Sequence, residues 1–273
     1  MIEDFFGTKV VKASEMILAE KSSFANNPQK EEAFMSQAGA SIARAIEAFA
    51  LEHTLEKKAL LLIGKGNNGG DAFVAGRLLI KNGFVVKAIT TYPLDECSPL
   101  CQKMAQFFLE QEGSILPCEQ WLKEDGPTKK TIIVDGLLGT GFKGELKEPF
   151  LSVIQKVNSL KNPVVAIDIP SGVDGNTGQV QPDAIVAYLT VFLGMAKTGF
   201  FLNQGYSHVQ HLYFGDFGLE QEYIDQAKAD FYLIDEKKLL KHLPTVSFTR
   251  HKYQAGYLLA LAGSSGMRGA ACL

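Results

Sequence analysis

The sequence of 273 residues has few cysteines and no long apolar run. Four cysteines in a chain of this length do not indicate the disulfide framework of a small secreted protein, and no histidine lies near Cys97 and Cys101 to complete a metal site. The four are Cys97, Cys101, Cys118 and Cys272, and we interpret Cys97 and Cys101 as packing residues. No segment approaches the roughly 18 apolar residues of a membrane span, and the acidic N-terminus lacks the apolar core of a signal peptide. The expected location is the cytoplasm, without membrane contact.

An excess of basic residues is also absent, because 27 Lys and Arg are balanced by 30 Asp and Glu, for a net charge of −3. This charge gives no electrostatic reason to expect nucleic acid or an anionic membrane as a partner. What the chain does have is a hydrophobic content of 46%, which supports the core of one large α/β domain. A small molecule is therefore the expected partner.

The glycine-rich stretch 64–71, Gly-Lys-Gly-Asn-Asn-Gly-Gly-Asp, lies between an apolar run and a segment with helical periodicity. A strand, a glycine turn and a helix N-terminus together form an anion site, since unpaired N–H groups and the positive end of the helix dipole point into the turn. Gly64, Gly66 and Gly69 also match the dinucleotide fingerprint G-x-G-x-x-G. The next apolar run, 84–91, ends without the acidic residue that would bind the ribose hydroxyls. A nicotinamide dehydrogenase is therefore disfavoured, and a turn that only connects strand to helix stays the alternative.

Apolar runs and helical patterns alternate along most of the chain. Two helices come first, at 14–25 and 29–55, and the second has an apolar stripe that must be buried on the sheet or against a second subunit in a homodimer. The stripe consists of Phe34, Met35, Ala38, Ile42, Ala45, Ile46 and Phe49. Further helices are predicted at 99–112 and 147–160, and strands at 59–63, 84–91, 131–135, 164–168 and 188–192. This pattern is typical of a doubly wound, mostly parallel sheet with helices on both faces, a Rossmann-like three-layer α/β fold.

Two aspartates close predicted strands, at the edge where parallel sheets bind their ligands. Asp135 follows the run 131–134 and Asp168 follows the run 164–167, and each precedes a loop of small residues. A single aspartate there is as often a helix cap or turn former as a functional group, but two beside a glycine-rich turn favour a site. Asn68, Asp135 and Ser171 would offer only oxygen atoms, which a hard cation prefers. The alternative is a hydrogen-bonded cluster without an ion.

The last third of the chain has weaker patterns. The alternation at 208–214 suits an edge strand with His208 and His211 on opposite faces, so we do not expect a metal pair there. The acidic, mixed segment 219–230 begins a predicted linker that extends to residue 250. An apolar strand at 257–262 and a turn of small residues follow.

Three ordered motifs resemble those of the NAD(P)HX epimerase family, the N-terminal half of bifunctional NAD(P)H-hydrate repair proteins. They are Gly66-Asn67-Asn68-Gly69-Gly70-Asp71, the stretch 134–141 (Val-Asp-Gly-Leu-Leu-Gly-Thr-Gly) and the stretch 168–174 (Asp-Ile-Pro-Ser-Gly-Val-Asp). The resemblance covers residues 14–217. It implies an epimerase domain at 1–218 that interconverts the R and S forms of NADHX and NADPHX, which are NADH and NADPH hydrated at C6 of the nicotinamide ring.

The resemblance also implies roles for individual residues. The substrate would be bound by Asn67, Asn68, Gly69, Gly70 and Asp71 of the turn, by Gly139, Thr140, Gly141, Phe142, Lys143, Gly144 and Glu145 of a loop, and by Asp168. A potassium ion would lie on Asn68, Asp135 and Ser171. Asp168 would face the reacting ring, and we interpret it as the catalytic general acid and base. Ala72 stands where the family usually has glycine, and its methyl group would crowd the turn slightly.

The tail, 251–273, resembles the opening of the ribokinase-like, ADP-dependent hydrate dehydratase that follows the epimerase in bifunctional members. Only its first strand and turn are present, so we expect neither ADP binding nor dehydratase activity from this chain. Two rival interpretations stay open: a binding module of the same fold, resembling the scaffold domains of RNA-decapping factors, and a flavin or nicotinamide oxidoreductase. A scaffold has no evident need for Asn68, Asp135, Asp168 and Ser171 together, and the missing ribose acid weakens the oxidoreductase.

Overall fold

The computed structural model describes residues 6–25, 27–241, 243, 248–251, 254, 259 and 269. Its strands are β1 (Phe6–Val11), β2 (Lys58–Ile63), β3 (Val85–Thr90), β4 (Ser114–Pro117), β5 (Ile132–Gly136), β6 (Val164–Ile167), β7 (Leu189–Leu193), β8 (Ala196–Lys197), β9 (His211–Gly215) and β10 (Ala229–Ile234). Its helices are α1 (Ala13–Phe24), α2 (Pro28–Glu52), α3 (Asn67–Lys81), α4 (Pro99–Leu109), α5 (Cys118–Trp121), α6 (Phe150–Ser159), α7 (Gly205–Val209), α8 (Gln221–Gln226) and α9 (Glu236–Leu240).

The chain divides into two compact units. The unit Phe6–Leu233 contains all of the candidate site residues. The other unit consists of Met1–Phe5 and Ile234–Leu273, and its described residues include α9. The strand predicted at 257–262, and with it the similarity to a dehydratase, lies almost wholly outside the described residues.

The larger sheet has the strand order β4-β3-β2-β5-β6-β7-β9, and all of its strand pairs are parallel. Side chains of β2 alternate between its two faces. Leu61 and Ile63 join a core with α2, α3 and α4, whereas Leu60 and Leu62 join a second core with α5 and α6. The predicted doubly wound sheet with helices on both faces is therefore confirmed.

Helix α2 covers part of one sheet face. It begins after Asn27, whose side chain accepts hydrogen bonds from the N–H groups of Gln29 and Lys30, and Pro28 occupies its first turn. The predicted apolar stripe of this helix is buried, and it packs against α3 and the sheet. The chain itself thus covers the stripe, and the stripe no longer gives a reason to expect a second subunit. The homodimer stays a prediction.

Several strand predictions need correction. Strand β6 ends at Ile167, so Asp168 lies just beyond it. His208 belongs to α7 and only His211 to the edge strand β9, which begins three residues later than predicted. Strand β4 escaped prediction because it is short and has no buried residue. Strands β1 and β8 also escaped, because they form a separate small sheet, of order β10-β1-β8, whose pattern depends on partners far along the chain.

The segment 219–230, for which the sequence predicts a linker, is structured. It contains α8 and the first residues of β10, and α8 packs against α1. Lys9 of β1 donates hydrogen bonds to the carbonyl oxygens of Ile224, Asp225 and Ala227. No residue of α8 is buried, so its acidic composition reflects the solvated surface of a packed helix.

Backbone contacts explain two of the three fingerprint glycines in the turn between β2 and α3. A Cβ at Gly64 would lie 1.7 Å from the carbonyl oxygen of Leu137, and a Cβ at Gly69 would lie 2.1 Å from the carbonyl oxygen of Gly64. A Cβ at Gly66 would meet nothing within 4 Å. Gly64 thus allows the turn to pack directly against the loop that follows β5, and Gly69 allows the first turn of α3 to pack against the end of β2.

We predict that Gly64→Ala destabilises the protein by about 3 kcal/mol or more, because the new methyl group would meet backbone that cannot move aside. Gly66→Ala is the matched control and should change the free energy of unfolding by less than about 1 kcal/mol. Urea denaturation followed by circular dichroism measures both. Equal stability of the two variants would contradict the close approach of Gly64 to Leu137.

Candidate functional site

The carboxyl ends of β2, β5 and β6 border an open cavity of about 790 Å³. Nine of the residues that the sequence assigns to the substrate line it: Asn67, Asn68, Asp71, Gly139, Thr140, Gly141, Phe142, Lys143 and Asp168. Gly69, Gly70, Gly144 and Glu145 belong to the same turn and loop but do not line the cavity. Asp135 and Ser171 are buried behind its wall.

The N-terminus of α3 opens onto this cavity. Gly66 is the N-cap residue and offers no side chain to the first N–H groups of the helix. The Gly69 N–H bonds to the carbonyl oxygen of Gly66 at 3.1 Å, and the N–H groups of Asn67 and Asn68 are left for a ligand. The helix dipole adds a partial positive charge at the same place. Lys65 and Lys143 also line the cavity. This part of the site therefore favours an anion such as a phosphate.

The two asparagines of the turn make different contacts. Asn67 donates a hydrogen bond from Nδ2 to Oε1 of Glu31 on α2, at 3.3 Å. Asn68 donates from Nδ2 to the carbonyl oxygens of Leu138, at 2.8 Å, and Ile167, at 3.3 Å. Because Leu138 follows β5 and Ile167 ends β6, Asn68 joins α3 to the ends of both strands.

Asp135 and Ser171 form a buried hydrogen-bonded cluster. Oδ1 of Asp135 accepts from the Ser171 hydroxyl at 2.6 Å and from the Leu137 N–H at 3.2 Å, and Oδ2 accepts from the Ser171 N–H at 2.8 Å. Oγ of Ser171 accepts from the Leu138 N–H at 2.9 Å. Burial raises the pKa of Asp135 to about 6, although these hydrogen bonds act in the opposite direction. Since Asn68 also binds Leu138, the three side chains predicted as cation ligands lie together.

Asp168 is held at the cavity wall by a buried ion pair. Its backbone is in the left-handed region, with φ of 65°, a conformation that costs a non-glycine residue roughly 1–2 kcal/mol. Oδ1 of Asp168 pairs with the fully buried Lys197 and accepts from the Leu193 N–H at 3.4 Å, and Oδ2 accepts from the Thr140 N–H at 3.3 Å. Lys197 also donates to the carbonyl oxygen of Leu193, at 2.8 Å. The sequence did not predict this role for Lys197, whose only signal is a lysine within a run of apolar and small residues.

Two further acids reach the cavity. Glu20 of α1 and Asp71 of α3 line both this cavity and an adjoining one of about 70 Å³, and no hydrogen bond or ion pair joins either carboxyl to another described residue. Burial raises the pKa of Glu20 to about 7; the charge of Asp168 adds to the rise and that of Lys197 opposes it. Burial, followed by the charges of Glu20 and Asp168, holds the pKa of Asp71 well above its ordinary value. Glu20 was not predicted from the sequence.

The methyl group of Ala72 does not reach the cavity. A Cβ at Gly136 would lie 2.7 Å from the Cβ of Ala72, so this methyl group packs directly against β5. Ala72 is fully buried there and is not part of the cavity wall. Its effect therefore falls on the packing of α3 against the sheet rather than on the space for a ligand.

A family model described as YjeF-related protein N-terminus matches residues 31–199. This match covers more than half of the chain and includes the glycine-rich turn, both strand-end aspartates, Ser171 and Lys197. The chain belongs to this family. All of the site residues described in this subsection lie within this match except Glu20, which belongs to α1 and precedes residue 31.

Curated relatives are similar over most of this chain. The bifunctional NAD(P)H-hydrate repair enzyme Nnr of Coxiella burnetii is 34% identical over 207 residues, which cover 76% of this chain and 42% of the relative. A protein of the same name from Thermofilum pendens is 29% identical over 269 residues, which cover 97% of this chain and 50% of the relative. This chain therefore spans half the length of these relatives or less.

The crystal structure of the yeast protein YNL200c is similar in fold. Its TM-score is 0.67 at 24% identity, and the match covers 84% of this chain and 98% of the yeast chain. At this identity the likeness shows the fold alone, and it confirms the Rossmann-like α/β architecture. Among the helices of the described residues, none is both long and apolar enough to cross a membrane.

We predict that Asp71→Asn stabilises the protein and that the gain grows as the pH rises from about 5 to about 8. Because the pKa of Asp71 is raised in the folded state, the stability that this group contributes is fully present below its unfolded pKa and is lost as the pH rises toward its folded value. We expect the melting temperature to rise by roughly 2–4 °C at the higher pH. Asp125→Asn, at an exposed position, is the control. Melting temperatures that respond identically in the two variants would contradict the buried, unpaired state of Asp71.

We predict that Lys197→Met lowers the free energy of unfolding by about 3–5 kcal/mol, because it leaves the charge of Asp168 buried without its partner. Adding Asp168→Asn should recover at least about 1 kcal/mol, since the second change removes the uncompensated charge. Urea denaturation of the two single variants and the double variant completes the cycle. Losses that simply add would show that the two side chains do not interact in solution.

Proposed function

We propose that this chain is an NAD(P)H-hydrate epimerase, which interconverts the R and S forms of NADHX and NADPHX at C6 of the nicotinamide ring. The observation that supports this most is a single cavity that combines an anion-binding helix N-terminus with a lysine-paired carboxylate. The first suits the phosphates of a dinucleotide, and the second suits a ring that becomes cationic during reaction. The names of the relatives, NAD(P)H-hydrate repair enzymes, agree with this substrate.

The substrate would lie along the cavity with its two ends in different surroundings. Its phosphates would bind at the N-terminus of α3, where Lys65 and Lys143 add positive charge. Its ring would lie near Asp168, and the Thr140 N–H, which binds Asp168, would hold the loop 139–145 against that end. We propose that this loop and the turn 67–71 bind the substrate between them.

The chemistry at C6 begins with loss of the hydroxyl group. The lone pair of the neighbouring ring nitrogen helps to expel it and leaves a planar cation, and water that adds to the other face gives the inverted epimer. A carboxylic acid beside the ring gives the departing oxygen its proton, and the carboxylate that this leaves stabilises the cation. Asp168 is our candidate for this carboxyl group, because Lys197, the Leu193 N–H and the Thr140 N–H fix its position.

We propose a potassium ion on Asn68, Asp135 and Ser171. The Asp135 carboxylate, the Ser171 hydroxyl and the Leu138 carbonyl provide oxygen donors, which fit a hard cation. The Asn68 amide presents its nitrogen to the Leu138 carbonyl, so it would have to turn its oxygen toward the ion. When bound, the ion would supply positive charge beside the loop that begins at Leu138. The hydrogen bonds of this cluster also support the alternative without an ion.

The rival functions fit the cavity less well. An oxidoreductase would bind the ribose hydroxyls with an acid near the end of β3, but Asp95 and Glu96, which follow β3, do not line the cavity. A scaffold domain has no need for the buried pair of Asp168 and Lys197, which costs desolvation free energy. The cytoplasmic location, the homodimer and the absence of ADP-dependent dehydratase activity stay predictions.

The test is chiral chromatography of pure (R)-NADPHX incubated with the protein. We expect the S form to appear at least about 100-fold faster than in a protein-free blank, and Asp168→Asn to lower kcat by about 100-fold or more. Glu110→Gln, at the exposed C-cap position of α4, should match the wild type. No conversion by the wild-type protein would favour the binding module.

The same protein and assay test whether potassium binds to this site. Conversion should be faster in KCl than in NaCl or choline chloride of equal ionic strength, and the melting temperature should be higher in KCl because binding to the folded state stabilises it. Ser171→Ala should abolish the difference between the salts. Identical melting temperatures of the wild type in all three salts would favour the hydrogen-bonded cluster without an ion.

A further inference from the structure

We propose that Glu20 is a second catalytic acid and base, which serves the face of the nicotinamide ring opposite to the face served by Asp168. This inference rests on the proposed epimerase function and deepens it. It assigns a role to a residue of α1, outside the three motifs on which the sequence-based site was built.

The position of Glu20 is the first argument. Glu20 lines the cavity from α1, whereas Asp168 lines it from the loop after β6. The two carboxyls are close enough for their charges to interact. Two acids on separate elements that border one cavity can approach a flat ring from different sides.

The partners of the two carboxyls differ. Asp168 has Lys197 and two N–H groups. Glu20 and the neighbouring Asp71, which is only 7% exposed, have no hydrogen bond or ion pair among the described residues. A carboxyl that faces a cavity without a partner of its own is free to donate a proton to a ligand there.

Inversion at C6 needs proton transfer on both faces. On the first face the C6–O bond breaks, its electron pair leaves with the oxygen, and that oxygen takes a proton from a carboxylic acid and departs as water. The lone pair of the ring nitrogen fills the vacancy at C6 as a C6=N double bond. On the second face a water oxygen bonds to C6, the π electron pair of this double bond returns to the nitrogen, and the water gives its extra proton to a carboxylate. One turnover therefore moves one proton from one carboxyl to the other by way of the substrate and solvent.

The charges around Glu20 suit this exchange. Asp71 and Asp168 face it as acids, and Lys197 is the cation that acts on it, while Lys21 and Glu31 line the same cavity. Burial raises the pKa of Glu20 to about 7, near the pH at which a general acid and base is most effective. Two carboxyls that share one proton can start from either epimer, which a reversible epimerase requires.

The experiment uses each pure epimer of NADPHX in water enriched in oxygen-18, with chiral chromatography and mass spectrometry. The wild type should invert both epimers and place the heavy isotope in the product. In Glu20→Gln, inversion should fall by about 100-fold or more, with KM within about threefold of the wild type. For the epimer whose hydroxyl faces Asp168, isotope exchange without inversion should continue, because water can still leave and return on that face.

Two further variants complete the design. Glu20→Asp keeps a carboxyl and should invert at least about tenfold faster than Glu20→Gln. Glu110→Gln controls for the loss of an acid at an exposed position. If Glu20→Gln fails to fold, Glu20→Asp is used for the test instead. Inversion that is about tenfold slower than in the wild type at unchanged KM then supports the proposal, and inversion at the wild-type rate overturns it.

Three results would overturn the inference. Inversion by Glu20→Gln within about threefold of the wild type would show that no proton passes through Glu20. Loss of inversion and isotope exchange together for both epimers, with a raised KM, would assign Glu20 to substrate binding alone. A wild-type protein that converts neither epimer would overturn the proposed function along with the inference, whereas the first two results leave that function standing.

Discussion

The buried ion pair between Asp168 and Lys197 connects the parts of the fold that build the site. Asp168 follows β6 of the large sheet, whereas Lys197 belongs to β8, where it pairs with Val11 of β1 in the small sheet. Removing both charges from water costs several kcal/mol per ion, and such a pair persists only where further hydrogen bonds complete it. The backbone of Leu193 and the Thr140 N–H provide those bonds. One interaction thus positions the small sheet, the loop after β5 and the carboxylate at the cavity.

The acids around this pair lower the stability of the folded chain at neutral pH. Asp71 and Glu20 are placed near Asp168, so their charges repel, and burial deprives them of water. A fold optimised for stability alone would replace them with amides or apolar residues. Groups whose pKa is raised by burial and by neighbouring acids are concentrated at functional sites. The concentration of such groups at one cavity supports the proposal of chemistry there, and one of them, Glu20, lies outside the sequence motifs.

The sequence predicts the sheet edge at which this site lies, because the strands and helices that form it have local sequence patterns. Continuous apolar strands with helices between them indicate a parallel sheet, and the carboxyl ends of its strands bring Asn68, Asp135, Asp168 and Ser171 to one edge. Lys197 could not be predicted in this way, because its partner lies 29 positions earlier and β8 has only two residues. Strand β1 and helix α8 were not predicted for the same reason, because their partners are distant in the chain and few of their residues are buried.

Glu20 is a different case, since a local signal exists. The buried face of α1 includes Met16 and Ser23, four residues before and three residues after Glu20, so helical spacing places Glu20 on the inward face. An acid at such a position either meets a cation or faces a cavity. The sequence pattern does not decide between these two environments. In the structure Lys197 is paired with Asp168, and Glu20 faces the cavity.

The distribution of charge in the cavity favours the proposed epimerisation over hydride transfer. Hydride transfer changes the oxidation state of the ring and requires a second substrate beside it, whereas epimerisation requires proton transfer and stabilisation of a cation by negative charge. Here the N-terminus of α3, with Lys65, favours the phosphates, and the adjoining smaller cavity, among its described residues, is lined by Glu20, Glu31 and Asp71 and by no cation. A dinucleotide bound by its phosphates at α3 would therefore place its ring toward carboxyls. Such an environment would lower the free energy of a ring cation and would supply the groups that move its protons, which are the two requirements of the proposed inversion at C6.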